Sequence, residues 1–297
     1  MKTVVSFGET LWDLLPAGPV LGGAPCNLAY RVNSLGERGV IVTRLGRDEL
    51  GRKAAEAIGA LGMDTRSIQW DAAHATGTVP VTLDARGIPE YTILKDVAYD
   101  YIEPAADLRE LAATADCLCF GSLCQRSERS ARTLMELLSA APKALKFFDV
   151  NLRKDCFSRP VLERSFFKAD ILKINDAEAL DLARMFELSA RTPETVAAEV
   201  LRRWGLKACV VTLGADGAYA VAGSDEARVP GWNIEVVDTI GSGDAFSAAF
   251  VTCWLRGRPL KDCVFFGNAL GALVARTKGA TTPIGTDEIN RFCGRNI

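Results

Sequence analysis

Histidine is nearly missing from this chain: His74 is the only one among 297 residues. It lies in the polar stretch Asp71–Gly77, a solvated loop by composition, so a Ser-His-Asp triad would have to use His74 itself, and no ligand spacing fits a tetrahedral zinc site. CxxC pairs are absent too, and the nine scattered cysteines, odd in number, argue against a disulfide framework. No apolar run approaches the ~20 residues of a membrane span. Met1–Glu9 lacks the apolar core and cleavage site of a signal peptide and reads instead as the first strand of a cytoplasmic protein. Basic residues are not in excess: a net charge of -2 leaves no footprint for a nucleic-acid partner. Phe7-Gly8-Glu9-Thr10 does not supply the GxGxxG turn of a dinucleotide-binding dehydrogenase.

What is present is alternation. Thr3–Phe7, Val40–Thr43, Cys117–Phe120, Leu145–Asp149, Ile171–Ile174 and Ala208–Thr212 have the pattern of buried strands. Between them Ala24–Leu35, Glu49–Leu61, Ser127–Ala140, Asp176–Arg184 and Glu194–Trp204 have helical periodicity. This order implies an α/β protein, a mostly parallel sheet with helices on both faces, and ligands beyond the carboxyl ends of the strands. No repeat or linker divides residues 1–297, which are expected to form one domain. One region breaks the rhythm. Thr78–Asp84 alternates, Ala85–Pro89 is a turn and Glu90–Lys95 returns, giving a hairpin. With Leu11–Leu15 it makes either a small sheet over the site or an ordinary edge hairpin.

The most informative stretch is Ile234–Phe250, IEVVDTIGSGDAFSAAF. Ile234–Val237 is β-branched and predicts a buried strand; Gly241-Ser242-Gly243 then opens a helix with Asp244 in its first turn. The first amides of a helix lack internal partners and sit at the positive end of the peptide dipoles, so a phosphate is well held there. Asp244 is then either the base for an attacking hydroxyl or a simple helix cap, and the residues alone leave both open.

Other strand ends carry polar groups with similarly double readings. Asp13, in Gly8–Pro16, suits paired hydroxyls or ends a turn; Gly22-Gly23-Ala24-Pro25-Cys26-Asn27 is a second glycine turn opening a helix. Phe120-Gly121-Ser122-Leu123 closes a central strand. In Asp149-Val150-Asn151-Leu152-Arg153, alternation puts Asn151 and Arg153 on one side. A guanidinium there meets phosphate or carboxylate, unless it pairs with Asp149. Asn175 and Glu178 fit a capping box, and Thr212–Gly217 a tight turn after a strand. Asn268 is polar on a small, apolar helix face, and Gly279 caps that helix.

Taken together, VDTIGSGDAFSAAF resembles the D-T-x-G-x-G-D signature of the ribokinase-like, phosphofructokinase-B carbohydrate kinases. The GE-LWD-LP and GGAP-N segments are similar to those of fructokinases, GSL resembles a segment of the family, and D-x-N-x-R resembles both fructokinases and 2-keto-3-deoxygluconate kinases without choosing between them. The resemblance spans essentially the whole chain and implies a three-layer α/β/α ribokinase-like fold with a β-sheet lid from segments about 11–21 and 76–100. It implies an ATP- and Mg²⁺-dependent sugar kinase, fructokinase above all, with 2-keto-3-deoxygluconate kinase as the alternative. A nucleoside kinase finds no base-stacking feature in the lid, and a catalytically silent sugar-binding regulator is the reading from another class.

By that resemblance Asp244 is the base and Gly241, Ser242 and Gly243 form the anion hole, with Arg153 assisting. Asp13, Gly23 and Asn27 hold the sugar, joined by Asn151 and Lys95, with Tyr91 and Tyr99 better suited to sheet packing. Asn175, Thr212, Gly214 and Asn268 line the nucleotide site, and Glu178 holds Mg²⁺ through water. Asp238, Ile240 and Gly279 match part of a monovalent-cation (K⁺) site, although Pro283 stands where ribokinases often carry serine. The resemblance also implies a homodimer joined through the lid.

Overall fold

The computed structural model describes residues 1–15, 18–83 and 89–295. In chain order the strands are β1 (Thr3–Phe7), β2 (Leu11–Leu15), β3 (Gly18–Gly22), β4 (Arg38–Gly46), β5 (Ile68–Asp71), β6 (Gly77–Leu83) and β7 (Pro89–Tyr91). They continue as β8 (Cys117–Phe120), β9 (Leu145–Asp149), β10 (Ile171–Asn175), β11 (Ala208–Thr212), β12 (Ala218–Ala222) and β13 (Asp225–Val229). The helices are α1 (Ala24–Ser34), α2 (Glu49–Ala60), α3 (Ala106–Thr114), α4 (Glu128–Ala140) and α5 (Arg159–Lys168). After them come α6 (Asp176–Met185), α7 (Pro193–Trp204), α8 (Ser242–Leu255), α9 (Leu260–Ala275) and α10 (Thr286–Cys293). None of these helices is long and apolar enough to cross a membrane.

Nine strands form one sheet in the order β13-β12-β11-β10-β9-β8-β1-β4-β5. Pairing is parallel from β5 through β11, and only the β11–β12 and β12–β13 pairs, at one edge, are antiparallel. Side chains alternate across each strand, which divides the core in two. Leu118, Phe120, Phe148, Leu172 and Ile174 face α3 to α7, while Cys117, Cys119, Phe147, Ile171 and Val210 face α1, α8 and α9. Strands covered on both faces have no polar side to show, and so they are legible as continuous apolar runs.

The chain winds from β1 outward to β4 and β5, then returns to the other side of β1 at β8. That reversal opens a crevice at the carboxyl ends of β1 and β8, where ligands bind in open sheets. A second sheet, ordered β3-β2-β6-β7, stands over it. On β2, Trp12 and Leu14 pack with Leu21 against Tyr30 and Leu50 on the body, while Leu11 and Asp13 face the crevice beside Val79. The expected lid sheet is therefore present. Its turn over Ala85–Pro89, but for Pro89, lies outside the described residues, as do Asp84, Pro16 and Ala17; the return strand ends at Tyr91 instead of Lys95.

Ile234–Val237 is not a buried strand. It is irregular, with Val236 and Val237 more than half exposed, and it joins the sheet nowhere. The amides of Val237 and Asp238 both reach the Ala275 carbonyl at the end of α9, which fixes the segment as a wall of a groove.

Candidate active site

Two cavities meet at the first turn of α8. One, of about 790 Å³, lies under the lid and is bounded by Asp13, Gly23, Asn27, Lys95, Asn151 and Arg153. The other, of about 750 Å³, runs between the β11–β12 turn, the 231–236 segment and α9. Asn175, Thr212, Thr239 and Gly243 line both, so the cavities share a wall at the start of α8.

The geometry of that turn follows from its glycines. Gly241 has φ 79°, and a Cβ on it would fall 2.3 Å from Cβ of Ala280, so no side chain fits. The amides of Gly241, Gly243 and Asp244 have no partner among the described residues. Ser242 N–H instead donates to the Thr239 carbonyl at 3.2 Å, so it is withdrawn from the expected anion hole. Three open donors remain, on residues that line the lid-side cavity, with Gly243 at the wall both cavities share.

Asp244 accepts a hydrogen bond from Asn27 Nδ2 at 2.8 Å. Protein packed round its carboxyl pushes its pKa up to about 6, reinforced by Asp149 and opposed by Asn27, Lys173 and Arg153. Asn27, expected at the sugar, thus orients the carboxylate. The placement follows from α1, which starts at Gly23: a Cβ there would lie 2.4 Å from the Glu9 carbonyl, so glycine lets the helix begin directly against the end of β1.

Asp149 does not pair with Arg153. Its Oδ1 accepts from Lys173 Nζ at 3.0 Å and its Oδ2 from Ser247 Oγ at 2.8 Å, tying β9, β10 and α8 together. Asn151 has φ 43°, which breaks the extended alternation expected for 149–153. Arg153 is left exposed at the lid-side cavity, without a hydrogen bond or ion pair among the described residues. Lys95 and Lys154 line the same cavity. Asp13 also faces it, its pKa raised by burial and held back by Arg153.

In the second cavity Asn175 Oδ1 caps α6 by accepting from Glu178 N, Gly214 turns the chain after β11, and Asn268 Nδ2 donates to the Pro230 carbonyl. Glu178 lies beneath both cavities and lines neither. Its two oxygens accept the amides of Leu152 and Asn175, each at 2.8 Å, which completes the capping box. Tyr99 is buried under the lid, its ring against the position of Gly77 and its hydroxyl accepting from Arg126. It packs, as expected.

Three groups were passed over in the sequence. Lys173 is buried with its Nζ 3.3 Å from where a Gly243 Cβ would stand, and its signal is a lysine inside an otherwise apolar strand. Glu9 is buried at the end of β1, with one oxygen unpartnered and its pKa pushed up to about 7 by burial. Trp232 walls the second cavity with an unpartnered indole N–H, and nothing in its local sequence marks it.

Comparison with known proteins places the chain in a family. Residues 18–287 match the model of the pfkB family carbohydrate kinases. The chain is 31% identical to fructokinase-1 of Oryza sativa subsp. japonica, over 96% of this chain and 95% of that one. It is 30% identical to a putative sugar kinase of Pyrococcus horikoshii, over 97% and 95% of the two chains. The crystal structure of an uncharacterized sugar kinase from that organism superposes with a TM-score of 0.84 at 28% identity, covering 98% and 97%. A double mutant of Vibrio cholerae O395 fructokinase in its fructose-, ADP- and potassium-bound form shares the fold. Its TM-score is 0.84 at 23% identity, over 99% and 98%.

Proposed function

From the premise that this chain belongs to the pfkB family of carbohydrate kinases, we propose that it transfers the γ-phosphoryl group of ATP to a hydroxyl of D-fructose. The observation that carries the reading is the position of Asp244, which lines the polar cavity under the lid next to Gly243, where that cavity meets a second one by the β11–β12 turn. The sugar occupies the first, against Asp13, the Gly23 backbone and Asn151; ATP occupies the second, along Asn175, Thr212, Gly214 and Asn268. The attacking hydroxyl gives its proton to Asp244, and the amides of Gly241, Gly243 and Asp244 receive the charge that develops on the transferred phosphoryl oxygens. Asn27 fixes the carboxylate, while Lys173 and Asp149 fix the turn from below. The lid keeps water from the hydroxyl's place.

Magnesium supplies charge neutralisation on the phosphates. Glu178 would not ligate it directly, since each of its oxygens already accepts an amide and the residue lines neither cavity; the ion would be carried by the triphosphate and its own waters. A homodimer paired through the lid sheet belongs to the same reading, and sedimentation velocity decides it. A second reading, transfer to 2-keto-3-deoxygluconate, is favoured by Arg153, Lys154 and Lys95, three cations without partners among the described residues at one cavity.

Coupled ADP release against fructose, ribose, 2-keto-3-deoxygluconate, adenosine and no sugar tests both. Fructose-dependent turnover supports the proposal, and turnover with the keto acid alone transfers it to the second reading. Silence with ATP bound contradicts both substrate readings and leaves either a sugar outside this panel or a sensor on the same fold.

Potassium, which the Vibrio neighbour holds, would meet here a region whose carboxylate is already engaged by the protein. Asp238, Ile240 and Gly279 do come together, but Asp238 Oδ1 and Oδ2 accept the amides of Ile240 and Gly279, each at 3.0 Å. The Ala275 carbonyl takes two amides, and the Ala280 and Thr282 carbonyls take a guanidinium. The Asp238 carboxylate and the Ala275, Ala280 and Thr282 carbonyls are thus already engaged by protein donors.

A further inference from the structure

Helix α1 brings a second residue toward the start of α8, one turn beyond Asn27. Arg31 is fully buried, and its guanidinium donates to the carbonyls of Ala280 at 2.5 Å and Thr282 at 2.9 Å. It forms no ion pair among the described residues, and its Nε has no partner. A buried charge without a carboxylate is costly, so a neutral side chain of similar volume would be expected unless the charge itself is used. Burial lowers its pKa only to about 10, which leaves it charged at neutral pH.

The loop it grips backs the anion hole. Ala280 lies against the Cα of Gly241, close enough to exclude any Cβ there, and the amide of neighbouring Gly279 is bonded to Asp238 just before the turn. A shift of the 280–282 carbonyls would therefore move Gly241 and the open amides with it.

We propose that Arg31 is a built-in cation that braces the 279–282 loop against Gly241, so that phosphoryl transfer by this chain requires no added monovalent cation. The inference rests on the kinase reading. Arg31 touches neither substrate nor reacting atoms; it is a positioning residue, and the amides it positions are those of α8.

The test is kcat as a function of KCl at constant ionic strength, with tetramethylammonium chloride as the balance and the sugar that the wild type turns over. The wild-type rate stays flat. Arg31→Met loses about tenfold or more in kcat, short of the ~10²–10³ that outright loss of an oxyanion donor costs. Its KM for sugar is unchanged, and K⁺ or millimolar guanidinium restores the rate. Arg31→Lys keeps a charge and stays insensitive to K⁺, which carries the test where the methionine variant fails to fold.

Severalfold activation of the wild type or of Arg31→Lys by K⁺ would overturn the proposal. So would a folded Arg31→Met with wild-type kcat, or with a loss that neither cation repairs. Where no sugar of the panel is turned over, the substrate readings have failed separately, and calorimetric ATP affinity takes the place of kcat. Arg31→Met then binds ATP more weakly, and K⁺ restores it; affinity equal to the wild type overturns the proposal.

Discussion

Asp244 titrates near the pH at which it must work. Its pKa, raised by burial to about 6, makes it a better proton acceptor than an exposed aspartate while leaving it largely ionised above neutrality. The rate should therefore fall with falling pH along a limb near pH 6, read from kcat/KM in the free enzyme. A limb near pH 4, the ordinary range for an exposed aspartate, would contradict this environment. The same shift affects stability in the opposite sense from a salt-bridged carboxylate. Between about pH 4 and 6 the folded state holds a proton that the unfolded chain has released, so this group's contribution declines as pH rises through that window. Asp244→Asn removes the charge and should be more stable than the wild type at pH 8 by about 3 kcal/mol. Thermal melts at pH 5 and pH 8 check it: the variant's advantage should be larger at the higher pH.

At the scale of the element, the first turns of α6 and α8 look alike in sequence and do different work. Asn175 and Glu178 close a reciprocal cap on α6, whereas α8 leaves three amides open. Glu178→Ala should lower stability by about 1–3 kcal/mol, because a buried cap and the Leu152 amide both lose their acceptor. The Mg²⁺ concentration for half-maximal rate should not move. A shift in Mg²⁺ dependence at unchanged stability would restore the water-mediated role expected from the resemblance. Gly241→Ala should cost both stability and kcat, since its Cβ has no room against Ala280; a variant with wild-type kcat would show that the turn is not the anion hole.

Elements were legible in the sequence wherever one local pattern decided the outcome. The strands from Cys117 to Thr212 are buried on both faces, and the glycine turns before α1 and α8 can be made by few other residues. Partners across the sheet were not legible. Asp149 is four residues from Arg153 but pairs with Lys173, because β9 and β10 lie side by side with Asp149 opposite Lys173. Asn27 finds Asp244 across 217 positions. Ile234–Val237 misled because β-branched residues suit any extended backbone, and whether such a segment enters a sheet or walls a groove is set by Ala275, far along the chain.

Across the whole molecule, the crevice at β1 and β8, the lid and the N-terminus of α8 form one arrangement. Leu11, Asp13 and Val79 of the small sheet look into the lid-side cavity, while Trp12 anchors it through its Nε1 to the Leu50 carbonyl at 2.9 Å. Bound fructose should slow amide hydrogen exchange in β2 and in Gly77–Pro80 of β6, and ATP alone should slow it in 231–236. Exchange that responds to sugar only around 231–236 would reverse the assignment of the two cavities.

The central claim is that Asp244 is the base at the meeting point of sugar and phosphate. Its most direct test is the pair of kcat and ATP affinity for Asp244→Asn, measured with the sugar the wild type turns over. The account predicts that kcat falls by ~10²–10⁴ while ATP binds as in the wild type, since the open amides of α8 remain in place. Turnover near the wild-type rate would reduce Asp244 to a structural partner of Asn27 in the first turn of α8 and contradict the mechanism.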